Sequence, residues 1–203
     1  MQALVSSGIR KSGFLSLMLF LSVFLLPFPS GSAQSSPPTL SGSSGTAFDV
    51  VTITSGYYST CVIKKDGSGE CWGTNGDGQL GDSTTNDRLR PEDVSLPPGK
   101  ILKSIDAGGV SACAIMNTSE LYCWGYNGHG NLGDGSSNSR RSPKLVSLPA
   151  HLDVVSVSTG YYHTCAIMSN RSMWCWGNDG SGQLSYEDSR VSSDQRFPVM
   201  SET

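Results

Sequence analysis

The residues best suited to chemistry are six cysteines, three histidines and two glycine-rich runs. The cysteines fall into three pairs, Cys61/Cys71, Cys113/Cys123 and Cys165/Cys175. Thiols placed this way can close disulfides, remain as buried thiols or ligate zinc. Zinc sites draw on C-x₂-C spacing or paired histidines, and neither accompanies these cysteines. His129, His151 and His163 fall at unrelated places in the chain, so they mark no shared metal site. A triad built on His163 would need a Ser and an Asp delivered by the fold, and nothing in the spacing singles them out, so an ordinary loop histidine is the simpler reading. Gly76–Gly81 and Gly128–Gly133 fit G-x-G-x-x-G. A dinucleotide site also needs a helix opening there, whose N-terminus faces the pyrophosphate. The first run leads instead into Asp82-Ser83-Thr84-Thr85-Asn86-Asp87, which reads as a loop. No calcium loop fits, no cofactor or metal is implied, and the chain reads as a non-enzyme.

The segments around these residues are of three kinds. Residues 1–33 carry Arg10 and Lys11, an apolar run from Phe14 to Leu26 and the small residues Gly31-Ser32-Ala33. This is the pattern of a secretory signal cleaved after Ala33, with an uncleaved anchor as the alternative. The apolar run is shorter than the roughly 20 residues of an ordinary spanning helix, and no second such run follows, so no membrane span is expected after signal removal. Residues 34–47 are a Ser/Gly/Pro linker too polar to bury a core. The rest, 48–203, is expected to form the folded domain.

Charge and composition exclude several classes. Without residues 1–33 the chain keeps 12 basic residues against 17 acidic ones, a net charge of −5. Nucleic-acid binders need Lys and Arg for phosphate contacts, so nucleic acid is not an expected partner. Glycine is abundant at 24 of 203 residues, and its cost inside helices argues against a helical bundle.

A 52-residue step organises residues 48–203. It relates Cys61, Cys113 and Cys165, then Cys71, Cys123 and Cys175, then Trp72, Trp124 and Trp176, as well as Leu80, Leu132 and Leu184. Three units follow, 48–99, 100–151 and 152–203. In the first, Val50–Thr54 and Thr60–Lys64 read as strands. Asp66-Gly67 signals a hairpin turn, and Glu70–Trp72 reads as the return strand. A last short strand is predicted near Pro91–Leu96, with counterparts at Pro143–Leu148 and Phe197–Met200. Four short antiparallel strands per repeat make a propeller blade, so the fold class is all-β. Ile53, Val62, Ile63, Trp72 and Leu80 are expected to stack against the next blade. Three blades are fewer than the four to eight of a usual ring, which predicts a partial propeller or open arc. Chains associating into a homo-oligomer would be another way to complete a ring.

The run from Cys71 to Asp82 (CWGTNGDGQLGD) and that from Cys123 to Asp134 (CWGYNGHGNLGD) resemble the repeat of the regulator of chromosome condensation family. Cys175–Leu184 repeats the motif, with Ser185-Tyr186 in place of its closing Gly-Asp, and Gly160–Ile167 resembles the family's upstream element. The resemblance covers essentially all of 48–203. It implies β-propeller blades and a protein-binding role. The family includes a nuclear exchange factor for a small GTPase, a secreted bacterial inhibitor of a β-lactamase and ectodomains of plant receptor kinases. The expected function is a secreted protein-interaction module, with an inhibitor of an extracellular enzyme, an exchange regulator or a truncated receptor ectodomain as alternatives.

Six cysteines allow 15 pairings. If each hairpin has a three-residue turn centred on Asp66, Thr118 or Asn170, the two cysteines of a unit lie opposite each other. This predicts disulfides Cys61–Cys71, Cys113–Cys123 and Cys165–Cys175, with thiols buried between blades as the alternative. Asn117-Thr118-Ser119 and Asn170-Arg171-Ser172 are glycosylation sequons, or ordinary turn asparagines. The loop after the first strand varies between units: Tyr57-Tyr58-Ser59, Gly109-Val110-Ser111 and Tyr161-Tyr162-His163. Tyr57, Tyr58, Tyr161, Tyr162 and His163 are thus candidates for partner contact, or for packing between blades. Arg88, Arg90, Arg140 and Arg141 read as solvated loop residues, or as residues that meet an acidic partner.

Overall fold

Short β-branched and aromatic runs between glycine-rich turns fold into twelve strands in a computed structural model, which describes residues 49–185 and 194–201. The expected signal (1–33) and linker (34–47) lie outside the described residues. The first sheet comprises β1 (Val50–Ser55), β2 (Ser59–Lys64), β3 (Gly69–Gly73) and β4 (Arg88–Asp93). The second comprises β5 (Leu102–Ala107), β6 (Ser111–Met116), β7 (Leu121–Gly125) and β8 (Arg140–Leu145). The third comprises β9 (Val154–Thr159), β10 (His163–Met168), β11 (Met173–Asn178) and β12 (Asp194–Met200). Each sheet is an antiparallel meander in chain order. No helix occurs among the described residues. The sheets pack in sequence as propeller blades in an open arc, first on second and second on third.

Burial follows from this order. Strand β6 of the middle blade, Ser-Ala-Cys-Ala-Ile-Met, is buried at every position because it has a blade on each side. Its counterpart β10 alternates between buried and more exposed positions, since one of its faces looks away from the other blades. Between the first two blades Cys61, Ile63, Leu80 and Val94 meet Leu102, Ile105, Ala114, Met116 and Trp124. Between the second and third, Ile115, Leu121, Leu132 and Val146 meet Val154, Ala166, Met168 and Trp176. Val62, Ile63 and Leu80 are buried, but Ile53 is 66% exposed, and Trp72 is only half-buried. The expected stacking of Ile53, Val62 and Trp72 on the next blade is therefore corrected, since Val62 pairs with Ile53 on one face and takes no part in the core between the first two blades. They lie on the side facing away from the second blade, where Trp124 and Trp176 of the later blades each find a neighbour.

The outer strand also departs from expectation. It starts at Arg88 rather than near Pro91 and ends at Asp93. Gly73 pairs with Arg88 and Glu70 with Asp93. The chain then turns inward, where the Val94 amide donates to the Gly69 carbonyl at 2.9 Å and its side chain joins the core. Proline marks an edge position here and not a strand start, since the edge needs no donor on its outer side. The second blade repeats this at Arg140–Leu145.

The first hairpin closes through Lys65-Asp66-Gly67. Gly67 N donates to Lys64 O at 2.8 Å, Lys64 N to Ser68 O at 2.9 Å, and only Gly67 has positive φ (+82°). This is the expected three-residue loop centred on Asp66, with one left-handed residue, and not a two-residue type I′ turn. The second and third blades place Ser119 (φ +63°) and Arg171 (φ +70°) there. The loop length puts Cys61 opposite Cys71, Cys113 opposite Cys123 and Cys165 opposite Cys175. Each facing pair is joined as a disulfide, with Cα atoms 4.1 Å apart.

Candidate functional site

The loop between the first two strands of each blade determines what the arc presents at one end of its strands. In the first blade this loop is Gly56–Tyr58, in the second Gly108–Val110, and in the third Gly160–Tyr162. The loops are joined to one another through the backbone. Tyr57 N donates to Gly108 O at 3.3 Å, and Gly109 N to Gly160 O at 3.1 Å. Such close passage requires glycine: a Cβ on Gly108 would stand 2.4 Å from Gly160 O.

Tyrosines of the first and third loops lie outside the core. Tyr57 is 62% exposed, Tyr58 67%, Tyr161 44% and Tyr162 36%. Of the two readings of these residues, packing between blades is the one that this exposure disfavours. Their rings form a chain. Tyr58 meets Tyr57 at 4.4 Å between centroids, Tyr57 meets Tyr161 at 5.8 Å and Tyr161 meets Tyr162 at 4.5 Å. Edge and tilted contacts of this kind are the favoured geometry of aromatic pairs. Tyr162 continues to His129 at 4.7 Å and to Tyr126 at 5.6 Å. The result is an aromatic ribbon fed by all three blades. Desolvation and the neighbouring Tyr162, Tyr57 and Asp77 raise the Tyr161 phenol above its ordinary value, so it stays neutral.

Tyr126 and His129 were not among the candidates expected from sequence. They belong to the glycine-rich run of the second blade, and only that blade has an aromatic and a histidine there, where the first has Thr74 and Asp77. That difference was the available signal. The His129 Nδ1 lies 3.1 Å from Asp194 of the third blade. His163 occupies a different place: its ring lies against Gly160, where an added Cβ would approach within 2.2 Å of Cε1. Burial lowers its pKa, with Asp179 opposing. His163 makes none of the ring contacts that build the ribbon.

The glycine-rich runs have a structural explanation. Asn75, fully buried, accepts from Leu80 N at 3.0 Å and donates to Asp82 at 3.0 Å. Arg88 closes the loop on Asp82 at 2.6 Å. Asn127, Leu132, Asp134 and Arg140 repeat the arrangement, with Arg140 2.7 Å from Asp134. Burial works against ionising Asp82, but hydrogen bonds from Thr84, Arg88 and Asn75 outweigh it and hold the carboxyl below the usual range. Asp134 behaves alike through Ser136 and Arg140. Arg88 and Arg140, with side chains 29% and 35% exposed, are therefore structural ion-pair partners that stay partly solvated. No helix opens after these runs.

Asn117 and Asn170 are exposed at hairpin tips. The tyrosine loops precede β2, β6 and β10, and the tips follow them, so the sequons lie at the opposite ends of the strands from the ribbon. Among the described residues no three or more His, Cys, Asp or Glu gather at metal-holding distance, and no helix is long and apolar enough to cross a membrane.

Sequence profiles of the regulator of chromosome condensation (RCC1) repeat match residues 71–115 and 119–167, and a second profile of the same repeat matches 102–131 and 154–183. The ultraviolet-B receptor UVR8 of Arabidopsis thaliana is 29% identical over 150 residues, which is 74% of this chain and 33% of the receptor. The E3 ubiquitin-protein ligase HERC2 of Homo sapiens is 29% identical over 157 residues, 76% of this chain and 3% of the ligase. Human WBSCR16 superposes with a TM-score of 0.66 at 19% identity, over 76% of this chain and 40% of that one. Prp20p of Saccharomyces cerevisiae, described with its binding to Gsp1p and histones, gives 0.66 at 21% identity over 76% and 39%. The chain thus spans about a third of the receptor and a smaller part of the ligase.

Proposed function

The chain belongs to the regulator of chromosome condensation repeat family, whose propellers are protein-interaction modules, and from that premise we propose that it is a secreted binding module whose contact face is the aromatic ribbon. The observation that carries this reading is the continuity of the rings: Tyr58, Tyr57, Tyr161 and Tyr162 touch in series, stay exposed and cross from the first blade to the third. Tyrosines give large contact area at little conformational cost and are frequent hot spots in protein interfaces. The partner is a protein. Secretion rests on the charged and apolar pattern of residues 1–33, and the three disulfides support it because such bonds persist in oxidising compartments. Glycans on Asn117 and Asn170 would leave the ribbon clear.

The test is differential capture from extracellular fluid with the wild-type chain and a Tyr57→Ser/Tyr161→Ser variant of equal melting temperature. At least one protein retained by the wild type and lost by the variant is expected. Identical capture by both would remove the ribbon from consideration. N-terminal sequencing of the secreted product should begin at Gln34, and deglycosylation should convert Asn117 and Asn170 to Asp.

A further inference from the structure

Both blade interfaces are made in the same way. The Trp124 indole is fully buried, and its Nε1 donates to Gln79 O in the preceding blade at 3.0 Å. Trp176 does the same to Asn131 O at 3.0 Å. Each indole rests on a turn that must have no side chain. A Cβ on Gly81 would stand 2.6 Å from Trp124 Nε1, and one on Gly133 2.7 Å from Trp176 Nε1. Beside the turn, Val94 and Val146 complete the apolar surface. On the receiving side Met116 and Met168 are fully buried.

The two outward faces of the arc depart from this pattern at three positions, although the first blade keeps the indole as Trp72 and exposes Ile53 beside it. On the third blade Ser185 closes the turn, its amide donating to Gly182 O at 3.2 Å as Gly81 donates to Gly78 O at 3.0 Å. Its φ of +54° keeps the turn, so its Cβ occupies the space that a further indole would need. Ser201 takes the place of Val94 and Val146. Its amide donates to Met173 O as theirs donate to Gly69 O and Leu121 O, and its hydroxyl donates to Leu184 O at 2.9 Å. On the first blade Lys64 pairs with Val50, as Met116 pairs with Leu102 and Met168 with Val154. Lys64 is held by Glu70 at 2.8 Å and Asp93 at 3.7 Å. Another blade laid on that face would strip water from these charges, which good packing repays only with further hydrogen bonds.

We infer that the arc is capped on both outward faces against a second copy of itself. Lys64, Ser185 and Ser201 are the capping residues, and head-to-tail pairing of chains into a six-bladed ring is blocked. Repeat arrays keep their outer faces polar for the same reason. The inference does not depend on the binding face proposed above.

Light scattering on the secreted chain tests it. A mass of one chain at every concentration is expected, and a discrete dimer overturns the inference. The variant Lys64→Met/Ser185→Gly/Ser201→Val restores the internal pattern on both faces. It should gain mass with concentration while keeping the wild-type far-ultraviolet spectrum. A folded variant that stays at one chain would show that these residues are not what prevents association. Should the variant not fold, the wild-type mass alone decides.

Discussion

Gly109 of the second blade lies directly beneath the Tyr161 ring of the third: a Cβ added at position 109 would stand 2.5 Å from Tyr161 Cδ2 and 2.9 Å from its Cα. The absence of a side chain in one blade thus makes the place for an aromatic in the next. Gly109→Ala is expected to push Tyr161 away from Tyr57 and to destabilise the chain by about 1–3 kcal/mol, the usual range for overpacking. Loss of cross-peaks between the two ring systems in a NOESY spectrum, with the rest of the spectrum in place, is the outcome to look for. Unchanged cross-peaks would show that the ribbon does not depend on this glycine.

Gly81 combines a left-handed φ of +71° with contact to the Trp124 indole. Gly81→Ala should therefore lose about 2–4 kcal/mol, from backbone strain and overpacking together. Denaturant titration gives the loss. Tryptophan emission should shift to the red as the Trp124 indole is displaced.

The hairpin of the third blade has the opposite defect. Arg171 adopts φ +70° where the first blade has Gly67. Arg171→Gly should raise stability by about 0.5–1 kcal/mol by relieving a conformation that side chains disfavour. The sequon formed by Asn170 and Ser172 stays intact. A lower midpoint in urea would mean that contacts of the arginine outweigh the strain.

Acid should act in two stages. Burial depresses the His163 pKa in the folded chain, so below about pH 6.5 the unfolded chain takes up its proton first. The stability linked to His163 is present above that pH and is lost as pH falls through the folded value. Asp82 and Asp134 are likewise depressed, so their contribution is lost only below about pH 4. Melting temperature against pH should show both declines. His163→Gln should flatten the upper one, and Asp134→Asn should weaken the lower one while reducing stability at neutral pH.

Removing one cross-link by Cys113→Ala/Cys123→Ala should cost about 2–3 kcal/mol on the chain-entropy account of a loop this short. Because both cysteines are fully buried between blades, a loss well above that range would point to packing defects around the two alanines.

The sequence disclosed its repeat, its sheets and the facing cysteines for one physical reason: hairpin pairing is local, and a three-residue turn sets the register. What depends on the neighbouring blade was not legible in the same way. Trp72 and Trp124 occupy equivalent positions, yet among the described residues a blade covers Trp124 and none covers Trp72. The ribbon joins Tyr57 to Tyr161 through the fold, so no spacing rule points to the pair. The charge of a loop arginine says nothing about its partner, so in sequence Arg88 reads as solvated. The recurrence of Asp82 and Arg88 as Asp134 and Arg140 was the trace of the ion pair. In sequence Pro91 reads as a strand boundary, whereas the edge strand Arg88–Asp93 accepts proline within it.

Every covalent cross-link in the described fold closes within a single blade, and none joins one blade to another. In hereditary terms each unit carries both halves of its own bond. A gene segment encoding one unit can be duplicated or deleted without leaving an unpaired thiol to be oxidised with the wrong partner. The number of blades is thus free to change by unequal crossing-over, and whatever constrains it must act on the faces where blades meet, not on the sulfur chemistry.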